Sequence, residues 1–185
     1  MEQDRLRTDR IRVEIASSGI DLAICQLSSH VLMLSGYAPI LGQSFVLFPA
    51  QGEPVLIVPE GEESHAGEGW CPDVRAYGTG TLNEELTVFD AVQPIIQTVV
   101  AERGWTTARI GYEGTSAMVP ASYSQVGFPS WGTFRMLQKA VPQALFIDVA
   151  PILRVLQDRK TPREIDCLTR AADIAALAPN ESLAD

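Results

Sequence analysis

The 185-residue sequence predicts an α/β fold: a mixed β-sheet with one hairpin, flanked by helices on both faces. Three observations predict it. Segments of helical and of strand-like periodicity alternate along the chain. "SFVLF" and "VLIV" flank "PAQGEP", whose Gly52 suits a tight reversal, so the two read as a hairpin. Both of its strands are apolar at consecutive positions, which means that both faces of the sheet are covered.

The elements follow in order. Residues 4–18 read as an amphipathic helix with Leu6, Ile11 and Ile15 inward and Gly19 as its stop. "DLAICQL" is a strand, the hairpin comes next, and "DVRAYG" is another short strand. Residues 83–103 place Leu86, Phe89, Val92, Ile96 and Val99 at helical spacing, with Gly104 as the stop. Pro94 inside that stretch is expected to kink or split the helix. "ARIGYEG" is a strand, one helix falls within 117–128, and a second covers 134–140. "LFIDVAPIL" supplies the last strand. The sequence shows no internal repeat.

"LQDRKTP", residues 156–162, is the one linker-like stretch, and it divides the chain into 1–155 and 163–185. A careful helix entrance follows it. Thr161 and Glu164 fit a capping box, each side chain serving the other's backbone N–H. Pro162 sits at the first helical position, where its missing N–H costs nothing. Ile165, Leu168, Ala172 and Ala175 then form one apolar stripe, and Pro179 is the expected stop. That stripe needs a surface to bury it, either its own domain or one that follows.

Composition excludes several function classes. A net charge of −9 and a pI near 4.7 argue against a general affinity for nucleic acid or anionic membrane. The charged N-terminus has no apolar stretch of a secretory signal, and no apolar run is long enough to span a bilayer. Cys25, Cys71 and Cys167 are odd in number and widely spaced, which favours a reducing compartment over a disulfide framework or a zinc ribbon. The expectation is a soluble cytoplasmic protein.

No catalytic set stands out. "PEGEESHAGEG" gathers Glu60, Glu62, Glu63 and Glu68 around His65, but the other histidine, His30, is far away in sequence. A solvated helix face with one surface histidine is the favoured reading over a metal site. No Gly-x-Ser-x-Gly elbow marks a nucleophile. Glu84 and Glu85 stand where a phosphate would bind after "YGTGT" and would repel it. Cys25 reads as a small core residue, and Trp70, Trp105 and Trp131 read as hydrophobic cover.

The order of segments is itself informative. "RLRTDRIRVEIASSGIDLAIC", "VLMLSGYAP", "GEPVLIVP" and "RIGYEG" resemble successive pieces of the N-terminal domain of the creatinase, prolidase and Xaa-Pro aminopeptidase family. "LFIDVAPILRVLQDRKTPREIDCLTRAADIA" is the most specific piece. It resembles the junction where that domain passes into the catalytic pita-bread domain.

The resemblance implies a creatinase N-terminal domain-like fold, with 163–185 as the first helix of a truncated catalytic domain. It implies a parent hydrolase with two divalent metal ions, commonly manganese, whose ligand motifs match nothing in this sequence. No catalytic residue and no metal ligand is therefore assigned. It implies an accessory role in substrate access and in a homodimer, with a peptide or small amide as the parent's substrate. Tyr37, at the aromatic position after Gly36, and Gln43 are the candidates for lining the substrate mouth; the alternative for Tyr37 is a half-buried ring with its hydroxyl in water. His30 and Met33 depart from the family's usual Asn and Tyr.

Three readings compete. The leading one is a non-catalytic domain of a metallohydrolase. The second is a stand-alone module of the same fold that binds a small molecule or peptide. The third is an independent enzyme built on Cys25, His30 or His65.

Overall fold

A computed structural model describes residues 4–78, 80, 81, 86–114 and 131–181, with side chains as far as 176. Six strands form one sheet: β1 (Leu22–Cys25), β2 (Phe45–Pro49), β3 (Val55–Pro59), β4 (Asp73–Tyr77), β5 (Arg109–Tyr112) and β6 (Leu145–Asp148). Their order across the sheet is β4-β3-β2-β1-β5-β6. β2 pairs antiparallel with both neighbours, and the other pairs are parallel, so β2 alone runs against the rest.

The helices are α1 (Arg5–Ser17), α2 (Ser28–Ser35), α3 (Glu63–Ala66), α4 (Val88–Glu102), α5 (Trp131–Ala140), α6 (Ala150–Asp158) and α7 (Pro162–Glu181). Strand residues alternate between two cores, as the two-residue period of a strand requires. Ala23, Cys25, Val46, Phe48, Leu56 and Val58 pack toward α1, α2, α3 and α6. Leu22, Ile24, Phe45, Leu47, Val55 and Ile57 pack toward α4 and α5. The doubly covered hairpin is thus explained: each face of β2 and β3 has its own layer of helices.

Several boundaries differ from the sequence reading, each for a physical reason. In α1, Ile11 and Ile15 are buried as expected, but Leu6 is exposed and Arg7 is buried in its place. Arg7 is drawn in by backbone carbonyls and a carboxylate at the far end of the chain. The last strand ends at Asp148, and Ala150 already starts α6, with Pro151 in the first turn where no intrahelical N–H is needed. Pro94 does not split α4, which runs unbroken while Val92, Ile96, Val99 and Val100 bury against the sheet. α2 forms where the sequence pattern marks no helix, since its N-cap Leu27 carries no side-chain acceptor to signal a start. α7 continues past Pro179 to Glu181.

The expected helix start at 83–85, with Glu84 and Glu85, and the helix within 117–128 lie outside the described residues. Gly19 and Gly104 end α1 and α4 with φ of 67° and 71°, as read from the sequence. Arg159, Lys160 and Thr161 are all that separates α6 from α7.

Candidate functional site

Three polar constructions stand out, two of them at the carboxyl end of the sheet. The first is the loop that leaves α2. Ser35 donates to the Val31 carbonyl at 2.7 Å and accepts from the Tyr37 N–H at 3.2 Å. Gly36 adopts φ of 73° directly beneath the Trp70 indole, where a Cβ would lie 2.3 Å from the ring. Only glycine fits there, which accounts for the Ser-Gly-aromatic sequence.

Tyr37 is buried, and its hydroxyl donates to Glu62 rather than to water. The same carboxylate accepts from the N–H groups of Ile40, at 3.3 Å, and Leu41. Glu62 is therefore an internal anchor and not part of a solvated face, which corrects the reading of the acidic patch. It pins a loop whose tip, Ile40 and Leu41, is exposed. His65 borders the loop, its ring edge-on to Tyr37 at 5.4 Å and its Nε2 3.3 Å from the Ala38 carbonyl.

Gln43 closes the loop. Its carbonyl accepts from the Tyr77 hydroxyl at 2.7 Å. Burial pushes the Tyr77 hydroxyl pKa up, and the negative charge of Glu62 acts in the same direction. The Gln43 amide oxygen is buried and has no hydrogen-bond partner among the described residues.

The second construction joins the two ends of the chain. Asp4 caps α1, accepting from the Arg7 N–H at 3.0 Å. Its other oxygen accepts from the Thr161 hydroxyl. Arg7, 2% exposed, donates Nε to Glu164 at 3.0 Å and a second guanidinium nitrogen to the same carboxylate. It also donates to the carbonyls of Leu156 and, at 2.9 Å, Arg159. The capping box forms as expected: the Thr161 N–H donates to Glu164 at 2.7 Å and the Glu164 N–H to Thr161 at 3.2 Å.

α7 is thus clamped through its first turn, yet its stripe faces outward. Ile165 is 54% and Leu168 55% exposed. The helix does not dock back on its own domain through that face.

The third construction surrounds Glu113, just after β5. It accepts from the Gln26 N–H at 2.7 Å and the Leu27 N–H at 3.2 Å, and His30 Nδ1 lies 2.5 Å away. These groups sit at the start of α2, whose N-cap Leu27 offers no side-chain acceptor. Glu113 instead takes the N–H of Leu27 itself and of Gln26 before it, while the His30 N–H donates to the Leu27 carbonyl at 2.8 Å.

The residues named for the third reading do not converge. His30 is buried on Glu113, whereas His65 lies at the rim of the α2 loop. Cys25 is buried, and its thiol pKa is pushed well above the ordinary value, first by burial and then by the charge of Glu113. Burial likewise pushes Cys71 up to about 12. Such thiols stay protonated and are poor nucleophiles. Among the described residues, no group of three or more His, Cys, Asp or Glu side chains is placed to hold a metal ion. No described helix is long and apolar enough to cross a membrane.

Glu62, Glu113, Arg7 and Asp4 carry the polar architecture, and sequence reasoning missed all four in these roles. Each is an ordinary charged residue until its distant partners are known.

The family model of the creatinase/prolidase N-terminal domain matches residues 7–157. The chain belongs to that family. Ectoine hydrolase of Halomonas elongata is 28% identical to this creatinase/prolidase N-terminal domain over 176 residues, covering 90% of the chain and 40% of the relative. The chain therefore spans about two-fifths of that relative's length.

Solved structures show the same fold. An Xaa-Pro dipeptidase from Bacillus anthracis matches with a TM-score of 0.67 and 17% identity, over 98% of this chain and 43% of that one. The creatinase/prolidase N-terminal domain of an X-Pro dipeptidase from Streptococcus pyogenes matches with a TM-score of 0.59 and 22% identity, over 80% and 97% of the two chains. The prolidase from Pyrococcus horikoshii gives 0.60 and 19%, over 92% and 40%.

Proposed function

We propose that this creatinase/prolidase N-terminal domain is the non-catalytic access and assembly domain of a cytoplasmic, homodimeric hydrolase with two divalent metal ions, commonly manganese. The metal-bearing domain follows α7 in the same polypeptide and acts on an Xaa-Pro peptide, as a peptidase, or on a creatine-like guanidine or another small amide, as a creatinase-type amidinohydrolase. Neither nucleic acid nor membrane is a partner.

The observation that carries this reading is the clamp on α7. Arg7 and Asp4 fix the first turn of a helix whose Ile165 and Leu168 face solvent. A rigidly aimed helix with an uncovered apolar stripe is suited to a domain packing on that stripe. The relatives support the reading from the other side, since the ectoine hydrolase and the Bacillus anthracis dipeptidase both extend far beyond the matched region. In this role the α2 loop shapes the substrate mouth. Gln43 lines that mouth from a half-buried position, and Tyr37 acts from beneath by holding the loop on Glu62.

Titration of Mn²⁺ into the 185-residue chain, with an Xaa-Pro dipeptide hydrolysis assay, tests the proposal against the longer gene product. Neither stoichiometric metal uptake nor turnover is expected from the short chain, and both are expected from the longer one. Tight metal binding with hydrolysis by the short chain alone would overturn it.

A further inference from the structure

β1 and β5 lie side by side and parallel, with Ile24 opposite Tyr112. The helices beyond them lie on opposite faces. α2, directly after β1, packs Val31 and Leu34 into one core, while α5, the next described helix after β5, packs Met136 and Leu137 into the other. Where neighbouring parallel strands diverge in this way, a crevice opens outside their carboxyl ends, and open α/β sheets bind ligands there.

A cleft of about 250 Å³ occupies that place. Tyr112, Trp131 and Phe134 form an aromatic wall, and Gln26, Glu113 and Thr133 supply its polar groups. Tyr112 and Phe134 stack with centroids 4.6 Å apart, and Trp131 stands 5.6 Å from Phe134. Trp131 is nevertheless 70% exposed, so among the described residues one face of its indole is left open. Glu113 is nearly fully buried and held by Gln26, Leu27 and His30, which fixes its carboxylate beside the rings.

Charge and size select the occupant. Aromatic faces attract a cation, and the lining holds no lysine or arginine that would draw an anion, its one carboxylate, Glu113, being engaged by the Gln26 and Leu27 N–H groups and His30. The volume lies below the range of about 300–1,000 Å³ found for drug-sized ligands. We propose that this cleft binds a small organic cation, an alkylammonium on a compact apolar body, against the Trp131 and Phe134 rings.

The test is a titration of the 185-residue chain at pH 8 with choline, followed by the indole N–H resonance of Trp131. Its neutral isostere, 3,3-dimethylbutan-1-ol, is titrated in parallel. Choline should produce a saturable shift, and the neutral compound should bind at least about fivefold more weakly, a moderate value for a cation over an aromatic face. Trp131→Ala, at an exposed position where folding is checked by circular dichroism, should weaken choline binding by a similar factor, read from the other cleft resonances. Trp131→Phe should retain most of it. Equal binding of the two compounds, unchanged binding in Trp131→Ala, or no saturable shift would each overturn the proposal.

Discussion

α7 and α2 begin in opposite ways. At α7, Thr161 and Glu164 stand three positions apart and satisfy each other's backbone N–H groups. At α2, the N-cap is Leu27, and the donors of Gln26 and Leu27 are met by Glu113, 87 and 86 residues further along the chain. Both solve the same problem, the unpaired donors of a helix start. The difference is in what else depends on the solution. The local cap belongs to one helix. The remote cap ties α2 to β5 and holds a buried histidine, so its loss strands several groups at once.

The comparison can be broken most directly at Glu113. Glu113→Ala leaves two backbone donors and the buried His30 ring without their acceptor, and about 3–5 kcal/mol of stability should go with it, from several buried polar groups left unpaired at once. Urea unfolding of the two proteins measures this, and a loss below about 1 kcal/mol would mean that Glu113 is not the cap on which α2 depends.

Arg7→Met should rank second. It leaves the carbonyls of Leu156 and Arg159 without their donor and frees Glu164, which is 32% exposed and can recover water. A cost of about 2–4 kcal/mol is expected, short of the full value for a completely buried pair. Amide hydrogen exchange should quicken across the first turns of α7. Unchanged protection there would mean that the clamp does not hold the helix.

Thr161→Ala tests the local cap by itself. The expected cost is about 1.5–2 kcal/mol, toward the upper part of the usual range because the hydroxyl also reaches Asp4. A thermal melt in which this variant fell further than Glu113→Ala would reverse the lesson drawn from the two helices. Smallest of all should be Leu168→Ser, on the exposed stripe, within about 0.5 kcal/mol in this chain. A marked loss by chemical denaturation would show that the stripe is already buried here in solution.

The same contrast explains what could be read in advance. The capping box, the Gly19 and Gly104 stops, and the hairpin around Gly52 are local signals, and each appears where the sequence places it. α2 has no such signal at its start, because the acceptor for its leading N–H groups lies far along the chain, just after β5. The acidic patch misled for a related reason. Glu60, Glu62, Glu63 and Glu68 look alike in sequence, but Glu62 alone meets Tyr37 and two loop N–H groups. Of the candidate residues, Gln43 was named at a half-buried position, while Tyr37 proved to sit below the loop surface.

The alternation of strands and helices, the doubly covered hairpin and the entrance to α7 follow from the linear pattern alone. These rest on short-range sterics, on periodicity and on hydrogen bonds between near neighbours, which a linear pattern can express. The tertiary structure alone decided that Arg7 is buried in place of Leu6, that Glu113 caps α2, and that Glu62 anchors the loop. A buried charge survives only where unpaired donors or acceptors meet it, and those came here from segments distant in sequence.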